Sequence, residues 1–153
     1  MIADIKFFFL FILSVITTGC SSVQIPQYIP DEAPYKKTFY APYDNVMSAT
    51  KKALDRLGWT ISQVTNPAIY EANKDFENFS KQALIFTEIK QYSRIFFTKY
   101  VKINVYLISQ NEGTDIEVRY MKINSYPFKS FKSYKNASLA KKLFQRISRD
   151  LEK

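Results

Sequence analysis

The chain has 153 residues, with 22 Lys and Arg against 14 Asp and Glu, a formal charge of +8 at pH 7. That length suits one domain, and 46% hydrophobic with 24% charged residues is the balance of a globular chain. The absence of histidine and the presence of one cysteine exclude Ser-His-Asp and Cys-His catalysis, zinc sites built from imidazole or paired thiolates, and any intramolecular disulfide. Three glycines in the whole chain leave no Gly-rich phosphate loop.

The chain opens with Lys6 ahead of an apolar run from Phe7 to Ile16, interrupted by Ser14. Ten residues are too few to cross a bilayer, which takes about 20, but they match the apolar region of a secretory signal peptide. The run ends at Thr17-Thr18-Gly19-Cys20. This stretch resembles the lipobox of bacterial lipoproteins, although Thr17 stands where Leu is usual in that family. The resemblance implies cleavage before Cys20, a diacylglyceryl thioether on its sulfur and an acyl chain on the new amine. Several acyl chains anchor durably because each buried methylene contributes about 0.8 kcal/mol. The alternatives for Cys20 are a small buried thiol and an uncleaved signal anchor. Ser21 and Ser22 differ from the Asp-type retention signal of the family, which implies the outer membrane, facing the periplasm. The expected organisation is a removed signal peptide (1–19), the lipidated cysteine with a flexible tether (20–37), and a single domain (38–153). Pro26, Pro30 and Pro34 keep the tether out of helix, although Tyr28, Ile29 and Tyr35 could pack on the domain.

Within the domain, Thr38 to Tyr40 reads as a short strand. Asp44 is the expected cap of a helix carrying Val46, Ala49, Ala53, Leu54 and Leu57 on one stripe and ended by Gly58. Trp59 to Val64, stopped at Asn66-Pro67, reads as a strand paired with Ala68 to Ala72. Ala83 to Ile89, Arg94 to Ile108 and Thr114 to Ile123 follow, the last two joined at Asn111-Glu112-Gly113. Their alternation predicts an antiparallel sheet with one buried and one wet face. Asn136 is the expected cap of a last helix from Ala137 to Leu151, with Leu139, Leu143, Ile147 and Leu151 four apart. The predicted fold is therefore α+β: an antiparallel sheet of about five strands against two amphipathic helices. This element order, with the ALDRLGW junction at Ala53–Trp59, resembles small periplasmic lipoprotein domains of the helix-grip type.

No motif selects a catalytic pair, a metal site or a cofactor, and the chain reads as non-catalytic. Asp115 and Glu117 read as a solvated strand face with cross-strand ion pairing; Glu71 and Glu88 would merit attention if they pointed inward. The basic balance favours anionic envelope surfaces or an acidic envelope protein over nucleic acid. The densest feature is Tyr126, Phe128, Lys129, Phe131, Lys132, Tyr134 and Lys135, where aromatic rings interleave with lysines. It reads either as an interfacial or partner-binding loop, or as rings covering the sheet end while the lysines stay in water. A second such cluster, Tyr92 to Tyr100, reads more readily as strand. The expected function is that of a membrane-anchored envelope lipoprotein binding another envelope component. The alternative is a carrier or sensor of an apolar ligand held in a cavity between helix and sheet.

Overall fold

Two strands of fourteen residues dominate the molecule, and everything else is arranged along them. They are β5 (Phe97–Gln110) and β6 (Gly113–Tyr126), paired in register from Gln110↔Gly113 at the turn to Thr98↔Ser125 at the open end. The computed structural model describes residues 23–30, 32–71 and 81–153. The expected signal peptide, with Thr17, Thr18, Gly19 and Cys20, lies outside the described residues.

Short strands flank the long pair at both ends. Near the turn, β1 (Tyr35–Phe39) pairs with Thr114–Val118 of β6, while β3 (Gln82–Thr87) pairs with Asn104–Ile108 of β5 and carries β2 (Ile61–Thr65) on its outer side. At the open end, β4 (Lys90–Arg94) pairs with Phe97–Val101 and β7 (Lys129–Ser133) with Lys122–Tyr126. The fold is α+β, one antiparallel sheet of seven strands with two helices. The turn-proximal half, ordered β1-β6-β5-β3-β2, accounts for five of those strands. The other two form the second half with β5 and β6.

Helices α1 (Tyr43–Arg56) and α2 (Ala137–Leu151) cover one face of the turn-proximal half. Val46, Ala53 and Leu54 from α1 and Leu143 and Ile147 from α2 bury against Ile85, Ile103, Val105, Leu107, Ile116 and Val118. Asn136 caps α2 as predicted, its Oδ1 accepting from Leu139 N at 3.1 Å. Asp44 does not cap α1. Pro42 occupies that position, and Asp44 lies within the first turn, paired with Lys81 at 2.7 Å, where a carboxylate favours the helix dipole. Gly58 ends α1 at φ +71°, a left-handed position open to glycine. Gly113 serves differently: a Cβ there would meet the Phe39 carbonyl oxygen at 2.4 Å, so β1 can lie this close only to glycine.

Two expectations are corrected on the opposite face. The stretch read as a flexible tether packs on the sheet over its described part. Ile29 is fully buried with Met121 and Ile123, and Val23, Ile25, Tyr100 and Tyr134 pack around them. β1 also begins at Tyr35, inside the expected tether. Prolines keep this strap extended, as expected, but its intervening apolar side chains give it a surface to dock. The strand predicted at Ala68–Ala72 is instead a single 3-10 turn at Pro67–Ile69 over its described part. Asn66 starts that turn by accepting from Ala68 N through its side chain. Strap and turn together cover Leu84, Phe86 and Tyr106, so the face expected to be wet is buried here.

Candidate functional site

Lengths explain why one end of the sheet is bare. At about 3.3 Å per residue, a fourteen-residue strand extends roughly 46 Å, whereas a helix of fifteen residues extends roughly 22 Å. The helices cover β5 from Val101 and β6 as far as Tyr120. The sheet runs on beyond them as β4, β5, β6 and β7, joined by two tight turns, Ile95-Phe96 and Pro127-Phe128.

Those turns sit side by side, because Phe97 and Tyr126 follow the last register pair of the long hairpin. Their rings touch at a 5.6 Å centroid distance, and Tyr126 contacts Phe131 edge-on at 6.0 Å. Residues paired across strands share a face. Tyr92 on β4 opposite Lys99, Phe97 on β5, Tyr126 on β6 and Phe131 on β7 therefore form one row across four strands. Lysines flank the rings: Lys99 Nζ lies 5.3 Å from the Tyr92 centroid and Lys129 Nζ 4.8 Å from that of Phe131. Such cation-π pairs at exposed positions contribute about 0.5–1 kcal/mol. At the tips the apolar side chains stand free of the fold: Phe128 is 101% exposed, Ile95 92% and Phe96 75%.

Of the sequence-predicted contact residues, Tyr126, Phe128, Lys129 and Phe131 come together here. Lys132 lies on the opposite face of β7, the face it shares with Ile123. Tyr134 packs against the strap cluster, and Lys135 donates to the Ala33 carbonyl while lying over the Tyr35 ring. With Tyr28 and Pro30 these three line an open cleft of about 830 Å³ beside the strap. The second cluster, Tyr92 to Tyr100, is not a single strand. It is a hairpin whose tip joins the first cluster, and the apolar Ile95-Phe96 pair gave no turn signal.

A buried ionic group lies beneath the strap, and local sequence reading missed it. Arg119 on β6 pairs with Glu71 at 2.6 Å and with Glu117 at 3.1 Å, while Lys36 reaches Glu117 from β1 at 2.7 Å. Arg119 also donates to the Tyr28 hydroxyl and lies 5.1 Å from that ring, which stacks on Tyr70 at 5.4 Å. Burial disfavours the Arg119 charge, but the hydrogen bond and charge of Glu71, with Tyr28 and Glu117, more than offset it and hold the guanidinium above its ordinary value. Lys102 donates to the Pro26 carbonyl at 3.4 Å and Asn104 to that of Gln27 at 3.2 Å. Burial pushes Lys102 below its ordinary value. Glu117 is thus buried instead of solvated, and Glu71 does point inward; Glu88 stays exposed. Asp115 accepts from the Thr38 hydroxyl at 2.6 Å. This group ties strap, 3-10 turn and sheet together.

Among the described residues, no cluster of three His, Cys, Asp or Glu side chains could hold a metal ion, and no helix is long and apolar enough to cross a membrane. No protein-family model matches the chain, and no curated protein matches it in sequence.

Proposed function

We propose that this chain is a lipid-anchored, non-catalytic protein of the bacterial envelope that works by binding another envelope component through the bare end of its sheet. The observation that carries the binding role is the meeting of the two hairpin tips, with Ile95, Phe96 and Phe128 all turned outward. Folding that leaves three large apolar side chains this exposed in one place forgoes their burial, about 1.5–3 kcal/mol each, which marks such patches as contact surfaces. The anchor rests on the Gly19-Cys20 motif after its apolar run. The non-catalytic reading draws on the ionic group under the strap, where Arg119 engages both carboxylates.

The apolar-carrier reading draws less support. The layer where it needs a cavity is occupied by Val46, Ala53, Leu54, Ile85, Ile103, Val105, Leu143 and Ile147, each fully buried.

The anchor is tested by feeding cells a fatty-acid probe and measuring the intact mass of the purified protein. The native chain is expected to carry the probe on a polypeptide beginning at Cys20. Cys20→Ser is expected to lose the label and keep the mass of the uncut precursor. An unmodified thiol on an uncut native chain overturns the proposal.

A further inference from the structure

The bare end has the shape and charge of a surface that enters a bilayer, and its partner follows from three observations. First, the apolar residues are on convex tips. Ile95-Phe96 and Pro127-Phe128 are two-residue turns projecting from β-hairpins, and the side chains at their apices are the most exposed large apolar groups described for the molecule, Tyr40 apart. A fluid interface accepts any convex apolar tip, whereas a folded protein partner must supply a matching groove.

Second, the strands that carry the tips bear charge of one sign, Glu32 of the strap being the carboxylate beside Lys132 in the cleft. The chain has no Asp or Glu from Lys90 to Gln110, or from Val118 to Arg149, the two stretches that build this end and α2. Arg94, Lys99, Lys129 and Lys132 stand behind the tips on β4, β5 and β7. Carboxylates Asp44, Glu112 and Asp115 belong to the opposite end, around the β5–β6 turn. Each basic group near an anionic membrane surface contributes about 1 kcal/mol.

Third, Val23, the first described residue of the strap, lies toward the same side. Val23 packs on the cluster of Ile29, Met121 and Ile123, and Ile123 pairs with Tyr100, three positions after Phe97. Cys20 precedes Val23 by three positions, a reach of at most roughly 11 Å. An acyl chain on Cys20 would thus hold this end, and not the acidic one, against the lipid.

We infer that the paired tips insert Ile95, Phe96 and Phe128 into the interface of an anionic phospholipid bilayer, with Arg94, Lys99, Lys129 and Lys132 at the headgroup phosphates. This rests on reading the bare end as the binding surface, but not on acylation itself. The test uses Phe128→Trp in the full chain, mixed with vesicles of brominated phosphatidylglycerol or brominated phosphatidylcholine. Bromine quenches only an indole that enters the bilayer, and the native Trp59, buried at the end of α1 beneath Lys90, provides the reference.

The Phe128→Trp emission is expected to drop roughly twofold on phosphatidylglycerol, with the parent chain unchanged, and to lose most of that drop in high salt. Lys99→Gln/Lys129→Gln/Lys132→Gln in the same background is expected to weaken it as salt does. Free glycerol phosphate is expected to leave the drop intact. Absence of added quenching on phosphatidylglycerol, or equal quenching on phosphatidylcholine, overturns the inference and leaves a protein or glycan as the partner. Failure of fatty-acid labelling at Cys20 with quenching at position 128 retained would overturn the anchor and leave this inference standing.

Discussion

Arg119 shows how one side chain can decide the conformation of three segments distant in sequence. It meets Glu71 just after the 3-10 turn, Glu117 from its own strand and Tyr28 from the strap. Burying these charges costs solvation that only complete pairing offsets, so removing one partner is worse than removing all. Arg119→Met is expected to lower unfolding free energy by about 3–5 kcal/mol in urea denaturation. Adding Glu71→Gln and Glu117→Gln to that variant is expected to recover most of the loss. If the single variant were as stable as the native chain, the group would not lock the strap. None of this was legible locally. Lys102, Asn104, Glu117 and Arg119 alternate with apolar residues and so read as a solvated face, because the residues covering them lie many positions away in the sequence. Glu71 was the one hint within the group, a carboxylate that would merit attention if it pointed inward.

Elements were legible where a local signal existed. Val101, Ile103, Val105 and Leu107, with Ile116, Val118 and Tyr120, gave both long strands by strict alternation; Gly58 and Asn136 marked helix ends through their own chemistry. β4 was missed because its turn is made of Ile95 and Phe96, residues with no turn preference. β7 was missed because Lys and Ser alternate there with a single apolar residue, Phe131. Both form by pairing with the overhang of β5 and β6, a tertiary cause absent from either segment alone. Consequently, each cluster of the candidate site was visible in sequence while their meeting was not. The strap is an element of a third kind, extended and without ladder hydrogen bonds of its own. It is held by Ile29, by Tyr28 and by the carbonyls of Pro26 and Gln27. Ile29→Ala removes a fully buried side chain, a change that typically costs about 2–5 kcal/mol. It is expected to speed proteolytic cutting between Val23 and Pro30 while β5 and β6 stay protected. Equal acceleration throughout would mean that strap and sheet open as one unit.

At the scale of the whole molecule, buried phenols set the alkaline limit of stability. Burial raises Tyr28, Tyr106 and Tyr120 above the ordinary value, and Tyr43 to about 12. The folded chain therefore keeps phenol protons that the unfolded chain releases above about pH 10, and stability falls as pH rises through that window. Lys90 and Lys102 act in the opposite sense, since burial lowers both and the folded chain sheds their protons first. Their window lies below the ordinary lysine value, so their gain comes before the tyrosine loss. Urea midpoints are expected to hold or rise slightly from about pH 8 to about pH 10 and then drop by about pH 11. A midpoint unchanged at the most alkaline point would mean that these phenols ionise without unfolding the chain.

The placement of β1 at the far side of β6 has a consequence for synthesis. Among the described residues Tyr35–Phe39 finds its ladder at Thr114–Val118, and the strap before it docks on β3, β5 and β6, all translated after it. The segment made of strap and β1 therefore has nothing to close upon while it leaves the ribosome. It stays an open thread until the long hairpin arrives, the condition in which a chain can be passed through a narrow channel before it acquires a shape.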